Sequence, residues 1–405
     1  MTTLGRLLEA RGSVEAPSVP LTSGALVDAF GAGTSSAGVA VTEQRVMGLP
    51  AYWRGCQVLA GTGGSLPLKV FEGDTRERVK PPLFSQRKPN PTQTWFEMWE
   101  QLWLHAVSWG NAYAWILRDK AGGPVGVTPI HPSKMDVALV REDREFHKRF
   151  TITGVDGSQS VATDWEVFHV PGMSLDGVKG MSALQAFRTS LGAGIAADEF
   201  AAKFFGNGTR LSGILRTKNS LDGVKAARLK RRWKRLVSGP DNAYDIAVLD
   251  NDANFEPVSV PPADAELLNS RKWTVSEVGR IVGLPPHMLG DVEKSTSWGS
   301  GIEQQGIGFV VYSLRGTWLS RFEQRITADL IVNPNRYAEY AIEGLLRGDS
   351  KARAEFYRKM RDMGVVNGNE IRAFENLERV EGLDFYTIPK NMQIIRPGEQ
   401  LPMED

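Results

Sequence analysis

Histidine and cysteine are the side chains most able to do acid–base, nucleophilic or metal chemistry, and they are scarce here. The 405 residues include five histidines and one cysteine. The histidines show neither the His-Glu-x-x-His spacing nor a three-ligand zinc spacing, so each is interpreted as structural. They are His105, His131, His147, His169 and His287. Cys56 lies among apolar residues, which favours an inert buried thiol, and one cysteine allows neither an intrachain disulfide nor a thiolate metal cluster.

Two motifs of enzymes are also missing from the sequence. There is no Gly-x-Ser-x-Gly elbow and no Gly-x-x-x-x-Gly-Lys-[Ser/Thr] phosphate loop, so neither a hydrolase nor an ATPase is indicated. Residues 31–38 are rich in glycine, but no strand precedes them and no lysine follows. We therefore expect no enzymatic activity, no cofactor and no metal.

A run of cations between residues 225 and 235 is a candidate for binding. It contains no acid, and on a helix its side chains would occupy much of the circumference. The cations are Lys225, Arg228, Lys230, Arg231, Arg232, Lys234 and Arg235. Three interpretations stay open: contact with phosphates through counterion release, contact with an acidic protein partner, or a solvated helix face. All except Lys225 and Lys230 are our predicted partner-binding residues.

A polar loop, Asp291 to Ser300, joins two helical patterns and is a second candidate. Its side chains could contact a polyanion through an ammonium group, hydroxyls and an aromatic ring. They are Lys294, Ser295, Thr296, Ser297 and Trp298. An ordinary connecting loop, with the indole of Trp298 folded against a helix, remains the alternative.

The two helices that position this loop have clear boundaries. The first, Asp264 to Gly283, has acids at its start, repeats leucine and valine at near-helical spacing, and ends at a glycine before two prolines. The second starts at a capping-box arrangement, Ser300 with Glu303, and extends to Ile331. Its predicted apolar stripe is Ile307, Val310, Val311, Leu314, Trp318, Phe322 and Ile326.

Composition limits the possible partners. The chain is 41% hydrophobic and 23% charged, which is typical of soluble globular proteins, and its length favours two or three domains. With 48 Lys and Arg against 47 Asp and Glu, the formal charge is +1, so no global field draws the protein onto nucleic acid or a membrane. The sequence has no apolar run of about twenty residues and no signal-peptide pattern at its start, so we expect synthesis in the cytoplasm and no membrane contact.

The remaining patterns indicate a mixed α and β chain. A mobile arm is expected over residues 1–40. A short helix is expected from Ala51 to Ala60, where the glycines that follow would break it. A second helix is expected from Thr92 to Trp109, and its aromatic face is interpreted as core or subunit interface. Strands are expected in several short runs up to residue 170. They are Leu66 to Phe71, Gly110 to Leu117, Val125 to Ile130, Met135 to Val140, Arg149 to Thr153 and Glu166 to Val170.

Later segments add helices and a small insertion. Met181 to Asn207 predicts one long helix that starts at a Ser182-x-x-Gln185 capping box and is slim enough for close neighbours. Residues 209–261 predict a compact β-α-β-β unit. Two further helices are expected at Gly348 to Gly364 and after Asn367, before an irregular tail.

Several short motifs, taken in their order along the chain, resemble those of a known protein family. They are Ser65-Leu-Pro-Leu68, Asn90-Pro91 with Trp95-Phe96, Trp109-Gly-Asn-Ala-Tyr113, His131-Pro132, Phe204-Phe-Gly-Asn-Gly208, Gly283-Leu-Pro-Pro-His-Met-Leu-Gly290, Ile302-Glu-Gln-Gln305 and Gly368-Asn-Glu-Ile-Arg372. In this order and spacing, over roughly Glu43 to Gly382, the chain resembles the portal proteins of long-tailed bacteriophages.

The resemblance implies a ring-shaped homo-oligomer, usually a dodecamer, that lies among subunits of the major capsid protein at one capsid vertex. It also implies that double-stranded DNA passes through the bore of the ring during packaging and ejection. It implies an α+β portal fold and docking of the terminase large subunit and then of a head-tail adaptor. The domains would be an arm (1–40), an α/β wing (41–180), stem helices (181–208 and 262–286), a clip (209–261), a tunnel loop (287–300), a long wing helix (301–340), a helical crown (341–385) and a mobile tail (386–405). Another capsid or connector component, or less favourably a nucleic-acid-processing enzyme, is the alternative.

Overall fold

The structure is a computed structural model. It describes residues 33–73, 75–142, 144–154, 156–206, 214–216, 223–224, 231, 254–256, 263–291, 300–342, 345, 350–375 and 377–387. The chain divides into two compact units, Met1–Tyr340 and Ala341–Asp405. Each is described by itself below.

Helices and strands alternate in the first unit. Its α-helices are α1 (Glu43–Met47), α2 (Pro50–Ser65), α3 (Pro82–Ser85), α4 (Trp95–Trp109), α5 (Ala183–Ala186), α6 (Arg188–Gly206), α7 (Ala263–Val282), α8 (Ser300–Gly308) and α9 (Ser320–Leu330). Its strands are β1 (Gly33–Thr34), β2 (Ala40–Val41), β3 (Leu68–Glu72), β4 (Glu77–Val79), β5 (Asn111–Arg118), β6 (Pro124–Ile130), β7 (Met135–Glu142), β8 (Glu145–Thr153), β9 (Gln159–Thr163), β10 (Val167–Pro171), β11 (Ile214–Arg216), β12 (Asn254–Glu256) and β13 (Arg336–Tyr340).

Small antiparallel sheets organise the strands. The strand orders are β10-β5-β6, β7-β8-β9, β13-β3-β4, β1-β2 and β11-β12. The strands expected at Gly110 to Leu117 and Val125 to Ile130 are confirmed as β5 and β6, which pair with each other. Asp119 fixes the turn between them, because its carboxylate accepts from the backbone N–H groups of Ala121 and Gly123. Strand β9 was not predicted, nor was β13, which pairs with β3 along its whole length. The strands β3 and β13 are about 270 residues apart in sequence, and a single short strand carries no signal of so distant a partner.

The core of the first unit forms around α4. Thr94 caps this helix in a reciprocal capping box with Glu97, and Gly110 ends it in the left-handed conformation. Most of the aromatic face predicted to be core or subunit interface is buried, although Phe96 at the start of the helix is 43% exposed. The indole of Trp103 stacks on Phe322 of α9 with ring centroids 4.6 Å apart and planes 2° from parallel. Offset aromatic stacking of this kind adds to the free energy of burial. Helices α4 and α9, distant in sequence, are thereby joined.

The glycines after Ala60 do not break α2, contrary to the prediction. The helix continues to Ser65 because these glycines let α4 approach. A Cβ atom on Gly63 would lie 2.2 Å from the indole of Trp103, and one on Gly64 would lie 3.1 Å from the backbone nitrogen of Glu100. The cost of glycine in a helix is offset here by the packing of an indole ring against a bare backbone.

The predicted helix after Ser300 is continuous to Leu330, but its middle part, Phe309–Leu319, is a π-helix. Two hydroxyls bond to carbonyl oxygens five residues earlier, Thr317 to Tyr312 and Ser320 to Arg315. The wider turn spaces core positions five residues apart, so Leu319 follows Leu314 in the core. The predicted stripe is therefore wrong at Val311, which is exposed, and Ile307 and Trp318 are only partly buried.

Two predictions near α6 are also corrected. Ser182 makes no side-chain cap, and the expected single helix starts as the short α5 and restarts at Arg188 after Phe187 leaves helical geometry. The arm predicted for residues 1–40 is too long, because residues 33–41 form the β1-β2 hairpin and Ser35 is buried. The expected close packing of the slim helix is confirmed, since a Cβ atom on Gly192 would lie 2.3 Å from Ser35.

The second unit contains the helices α10 (Ser350–Asp362) and α11 (Gly368–Phe374), as predicted. Asn367 caps α11 in a capping box with Glu370. The Asn369 side chain holds the segment that follows, because its amide donates to the Val380 carbonyl and its oxygen accepts from the Val380 N–H.

We predict opposite effects for two alanine substitutions in α2. Gly63→Ala places a methyl group inside the Trp103 ring and is expected to destabilise the protein by about 1–3 kcal/mol, as overpacking does. Gly61→Ala is the matched control, because its Cβ atom would meet nothing nearer than a Glu100 carboxylate oxygen at 4.0 Å, and it should stabilise by about 0.5–1 kcal/mol. Urea unfolding midpoints measure both changes. Equal effects of the two substitutions would contradict the packing described.

Candidate channel and partner-binding surfaces

The predicted functional residues fall mostly outside the described part of the chain. Lys294, Ser295, Thr296, Ser297 and Trp298 of the loop lie outside it, as do Arg228, Arg232, Lys234 and Arg235 of the basic run. Arg231 is described and is exposed. Both predicted sets therefore stay predictions, and what the structure defines is the framework on both sides of the loop.

Helix α7 leads into the loop through a tight, well-bonded turn. Gly283, with φ of +73°, ends the helix, and the Leu284 N–H donates to the Gly279 carbonyl at 2.9 Å. Pro286–Leu289 then form a 3-10 turn that ends at Gly290, whose φ is +87°. Both glycines have the left-handed geometry that other residues adopt only with strain. The start of the loop thus has a fixed direction.

Side chains from elsewhere hold this turn. Arg54 on α2 donates through Nε to the Met288 carbonyl at 3.3 Å. On the far side of the loop, Gln305 of α8 accepts at 2.8 Å from the Nδ1–H of His287. Among the described residues, this side-chain hydrogen bond joins the two ends of the segment 288–304.

Helix α7 is held against two other helices at positions without side chains. A Cβ atom on Gly194 of α6 would lie 2.8 Å from Thr274, and one on Gly55 of α2 would lie 2.9 Å from Val282. Val278 and Val282 of the predicted stripe are buried there. The three helices can approach closely only because the contact residues on α2 and α6 are glycines.

The connection from the sheets to α5 and α6 depends on three further glycines. Gly110 has φ of +69°, and a Cβ atom there would lie 1.9 Å from the Met181 carbonyl oxygen. A Cβ atom on Gly180 would lie equally close to the Gly110 carbonyl oxygen, and the Gly172 N–H donates to that oxygen at 2.7 Å. The chain after β10 is thus pressed directly onto the backbone at the end of α4.

Asn111 completes this junction with its side-chain amide. Its nitrogen donates to the carbonyls of Trp109 and Gly180, and its oxygen accepts from the Gly180 N–H at 2.8 Å and from Nε2 of His169 at 3.1 Å. Burial, with nearby Lys148 and other cations, lowers the pKa of His169 well below its usual value. The ring is therefore neutral and donates through Nε2, which leaves Nδ1 to accept from Lys148 at 3.4 Å.

Helix α1 connects the sheets and α6 through charged groups. Glu43 lies 3.2 Å from Nε2 of His131, and Arg45 pairs with Glu199 on α6. Burial raises the pKa of Glu43, but the hydrogen bond and the charge of His131 outweigh burial and hold it below its usual value. The short helix thus contacts both elements through the side chains of Glu43 and Arg45.

Two of the histidines lie against each other in the first unit. His105 is buried against His131, with ring centroids 5.0 Å apart, and burial lowers its pKa to about 3. Among the described residues, no three His, Cys, Asp or Glu side chains are grouped in a way that could hold a metal ion. In the same part of the chain, no helix has the length and apolar character to cross a membrane.

Solved structures with the same arrangement define the class of fold. The neck of an empty gene-transfer-agent (GTA) particle, computed with C6 symmetry, contains a chain with a TM-score of 0.58 and 18% identity, covering 92% of this chain and 98% of that one. The crystal structure of an HK97-family phage portal protein from Corynebacterium diphtheriae gives a TM-score of 0.55 and 16% identity, covering 76% and 98%. The fold is that of the HK97-type portal proteins.

Sequence comparison then assigns the family. The sequence model of the phage portal protein family matches residues 50–376. The portal protein of Enterobacteria phage HK97 is 33% identical over 85% of this chain and 82% of its own length, and a probable portal protein of Streptomyces phage phiC31 is 30% identical over 88% and 81%. The chain belongs to the phage portal protein family, whose members are structural proteins of the virion and not enzymes.

The sequence did not predict the hydrogen bonds that hold the end of α4 against the segment before α5, or those that hold the turn before the loop. Arg54 and Met288 are 234 residues apart, and Asn111 and Gly180 are 69 apart. The Trp109-Gly-Asn-Ala-Tyr113 motif supplied a signal, because an apolar helix that ends in Gly-Asn predicts a left-handed turn with a side chain free to bond the backbone. It did not indicate the partner.

We predict that the bond between His287 and Gln305 restrains the loop. Gln305→Leu removes an acceptor whose hydrogen bond is worth about 0.5–1.5 kcal/mol, so trypsin cleavage after Lys294 is expected to become about two to ten times faster. Gln304→Leu changes a neighbouring exposed glutamine and is the control that should leave the rate unchanged. Limited proteolysis with mass detection measures this, and equal rates for the two variants would show that the bond restrains nothing.

Proposed function

We propose that this protein forms the ring through which double-stranded DNA enters and leaves the capsid. The ring is a homo-oligomer, a dodecamer by analogy with portals, seated among major capsid protein subunits at one vertex. The terminase large subunit docks on it during packaging and a head-tail adaptor docks afterwards. Family membership over residues 50–376 carries this proposal, and a neck structure with C12 symmetry, with a TM-score of 0.55 to this chain, supports the subunit number.

The framework of the loop supports a role for it inside the ring. In this assignment α6 and α7 are the stem, residues 287–300 the tunnel loop, and the helix from Ser300 onward belongs to the wing. A loop that meets moving DNA needs fixed ends and a movable centre. The bonds at Leu284 and Met288 fix the entry, and among the described residues the two ends of the loop are joined by the side-chain bond between His287 and Gln305.

The charge balance supports contacts that are weak and independent of sequence. DNA must slide through the bore, and strong phosphate binding would stall it, because each neutralised phosphate adds to affinity through counterion release. A formal charge of +1 over the whole chain is compatible with sliding. One lysine per loop, Lys294, repeated around a ring would guide the DNA without holding it.

The clip is the proposed docking surface. Residues 209–261 lie between the two stem helices, and the described ends of this insertion pair as strands β11 and β12, which brings its beginning and end together. Arg231 is exposed. A cationic helix presented by such an insertion suits acidic surfaces of a motor or adaptor protein, with electrostatic steering of the encounter.

We predict that the loop acts in packaging and not in assembly. Trp298→Ala, or deletion of Lys294 to Ser297, should leave rings of normal size in electron micrographs but reduce the DNA content of particles at least several-fold. Trp53→Ala removes an exposed tryptophan outside the loop and is the control. Particles filled normally by the loop variants would rule out this role.

We predict that the basic run binds protein partners. Replacing Arg231, Arg232 and Lys234 with Glu should weaken docking of the terminase large subunit or of the adaptor by at least tenfold without lowering the unfolding midpoint. A control with Arg87, Lys88 and Lys120, all exposed, changed to Glu carries the same change in charge at another site. Pull-down titrations at two salt concentrations measure docking. If the first variant binds both partners as tightly as the wild-type protein does, the basic run is only a solvated helix face.

A further inference from the structure

A cavity opens between the start of β7 and residues 172–182. Its volume is about 520 Å³, and its lining includes the buried side chains of Tyr113 and Met135. Leu175 and Met181 also line it, and they are 88% and 37% exposed. Exposed apolar side chains scattered singly need no explanation, whereas apolar side chains gathered at the mouth of a cavity indicate a binding surface. We call this cavity the β7 cavity.

The loop that forms one wall of the β7 cavity is ordered before anything binds. The Asp176 carboxylate accepts hydrogen bonds from the N–H groups of Val178 and Lys179. The Met181 N–H donates to the Met173 carbonyl at 2.7 Å and closes the loop at its base. Because this wall is already fixed, an occupant of the β7 cavity would incur little entropic cost in arranging it.

One positive charge at the β7 cavity is available to an occupant. The charged residues that line it are two lysines and two aspartates. Lys179 pairs with Asp136 at 3.2 Å, and the Asp176 carboxylate is bonded within its own loop. The Lys134 side chain is exposed and makes no ion pair or hydrogen bond with the rest of the described chain. The β7 cavity therefore suits a short apolar segment that carries one acid, since the ammonium group of Lys134 would complement that charge.

The described part of the chain begins close to the β7 cavity. Gly33 pairs with Val41 in the β1-β2 hairpin. Two residues after Val41, Glu43 lies 3.2 Å from Nε2 of His131. The residue that follows this histidine, Pro132, lines the β7 cavity. The N-terminal 32 residues therefore join the first unit near this cavity.

Packing of the same hairpin on α6 gives the distance. A Cβ atom on Gly192 of α6 would lie 2.3 Å from Ser35, and Gln185, seven residues before Gly192, lines the β7 cavity. At ~1.5 Å per helical residue and ~3.3 Å per strand residue, Gly33 is roughly 20 Å from the cavity. An extended chain spans ~3.4 Å per residue, so about six residues before Gly33 suffice to reach it.

The residues that can reach the β7 cavity have the matching composition. Residues 16–32 contain one charged side chain, that of Asp28. Leu26 and Val27 come directly before it, and Phe30 follows two residues later. An acid flanked by large apolar side chains is the chemistry that an exposed apolar rim with one available lysine would bind.

We propose that residues 26–30 bind in the β7 cavity of their own copy, with the Asp28 carboxylate on the Lys134 ammonium group and the neighbouring apolar side chains against Leu175 and Met181. The segment would thereby cover apolar surface that the described residues leave exposed. The contact lies within one chain, so it does not depend on ring assembly and goes beyond the proposed function.

Engineered cysteines test where the segment lies. Full-length protein with Leu26→Cys and Gln185→Cys, mildly oxidised, should form an intrachain disulfide, because the proposed contact brings the two Cα atoms within the ~7 Å that a disulfide needs. The control pair is Leu26→Cys with Gln44→Cys. Gln44 is exposed and is nearer to Leu26 in sequence, so a segment without a fixed site would link to it at least as fast. Non-reducing peptide mapping by mass spectrometry should give at least fivefold more of the first link, and buried Cys56 stays out of the exchange.

Charge reversal tests the ion pair. Lys134→Glu, added to the first cysteine pair, should lower the yield of the link at least twofold, and further addition of Asp28→Lys should restore it. Lys120→Glu changes an exposed lysine that does not line the β7 cavity, and it is the control that should leave the yield unchanged.

Three results would overturn the inference. They are equal yields for the two cysteine pairs, disulfides that join two copies instead of forming within one chain, and a yield that Lys134→Glu leaves unchanged. Each of them leaves the proposed function intact, because ring formation by the wild-type protein is measured separately in electron micrographs. Wild-type protein that forms no rings would overturn the proposed function but not the contact within one chain.

Discussion

Backbone contact between the end of α4 and the segment Gly172–Ser182 is the constraint on which the first unit depends. Gly110, Gly172 and Gly180 lie so close that a Cβ atom on Gly110 or Gly180 would meet a carbonyl oxygen at 1.9 Å. Nothing can soften that overlap except movement of the whole chain, because the clashing atoms are backbone. The start of α5 and α6 is therefore placed relative to the sheets by the polypeptide itself, and Asn111 satisfies the polar groups that this contact buries.

Elements that depend on local signals could be predicted. Helix α4 follows from an aromatic face with a capping residue before it and a glycine after it, and α7 and α11 follow from the same kinds of boundary. The pairing of β5 with β6 follows from a turn between two β-rich runs. In each case the residues that decide the structure lie within about one turn of the element they define.

Elements that depend on partners distant in sequence could not be predicted. A glycine in a sequence reads as a helix breaker, and only Trp103, forty residues later, shows why Gly63 is needed inside α2. The pairing of β13 with β3 and the π-helix over Phe309–Leu319 are likewise decided by packing. The candidate loop was located from its flanking helices, but the bonds that frame it join Arg54 to Met288 and His287 to Gln305, and no pattern in the sequence indicates such pairs.

The helix that leads into the loop is held more strongly than the loop itself, and this difference decides which of them moves under force. Helix α7, which leads into the loop, is fixed by glycine contacts and buried valines, which shift only if whole helices separate. Among the described residues, the closure of the loop depends on the hydrogen bond between the His287 and Gln305 side chains, which exchanges with water at little cost. A force on the loop from a passing ligand would therefore break this bond long before it moved α7. In the proposed ring, where this segment is assigned as the tunnel loop, the loop would yield to DNA while α7 kept its position.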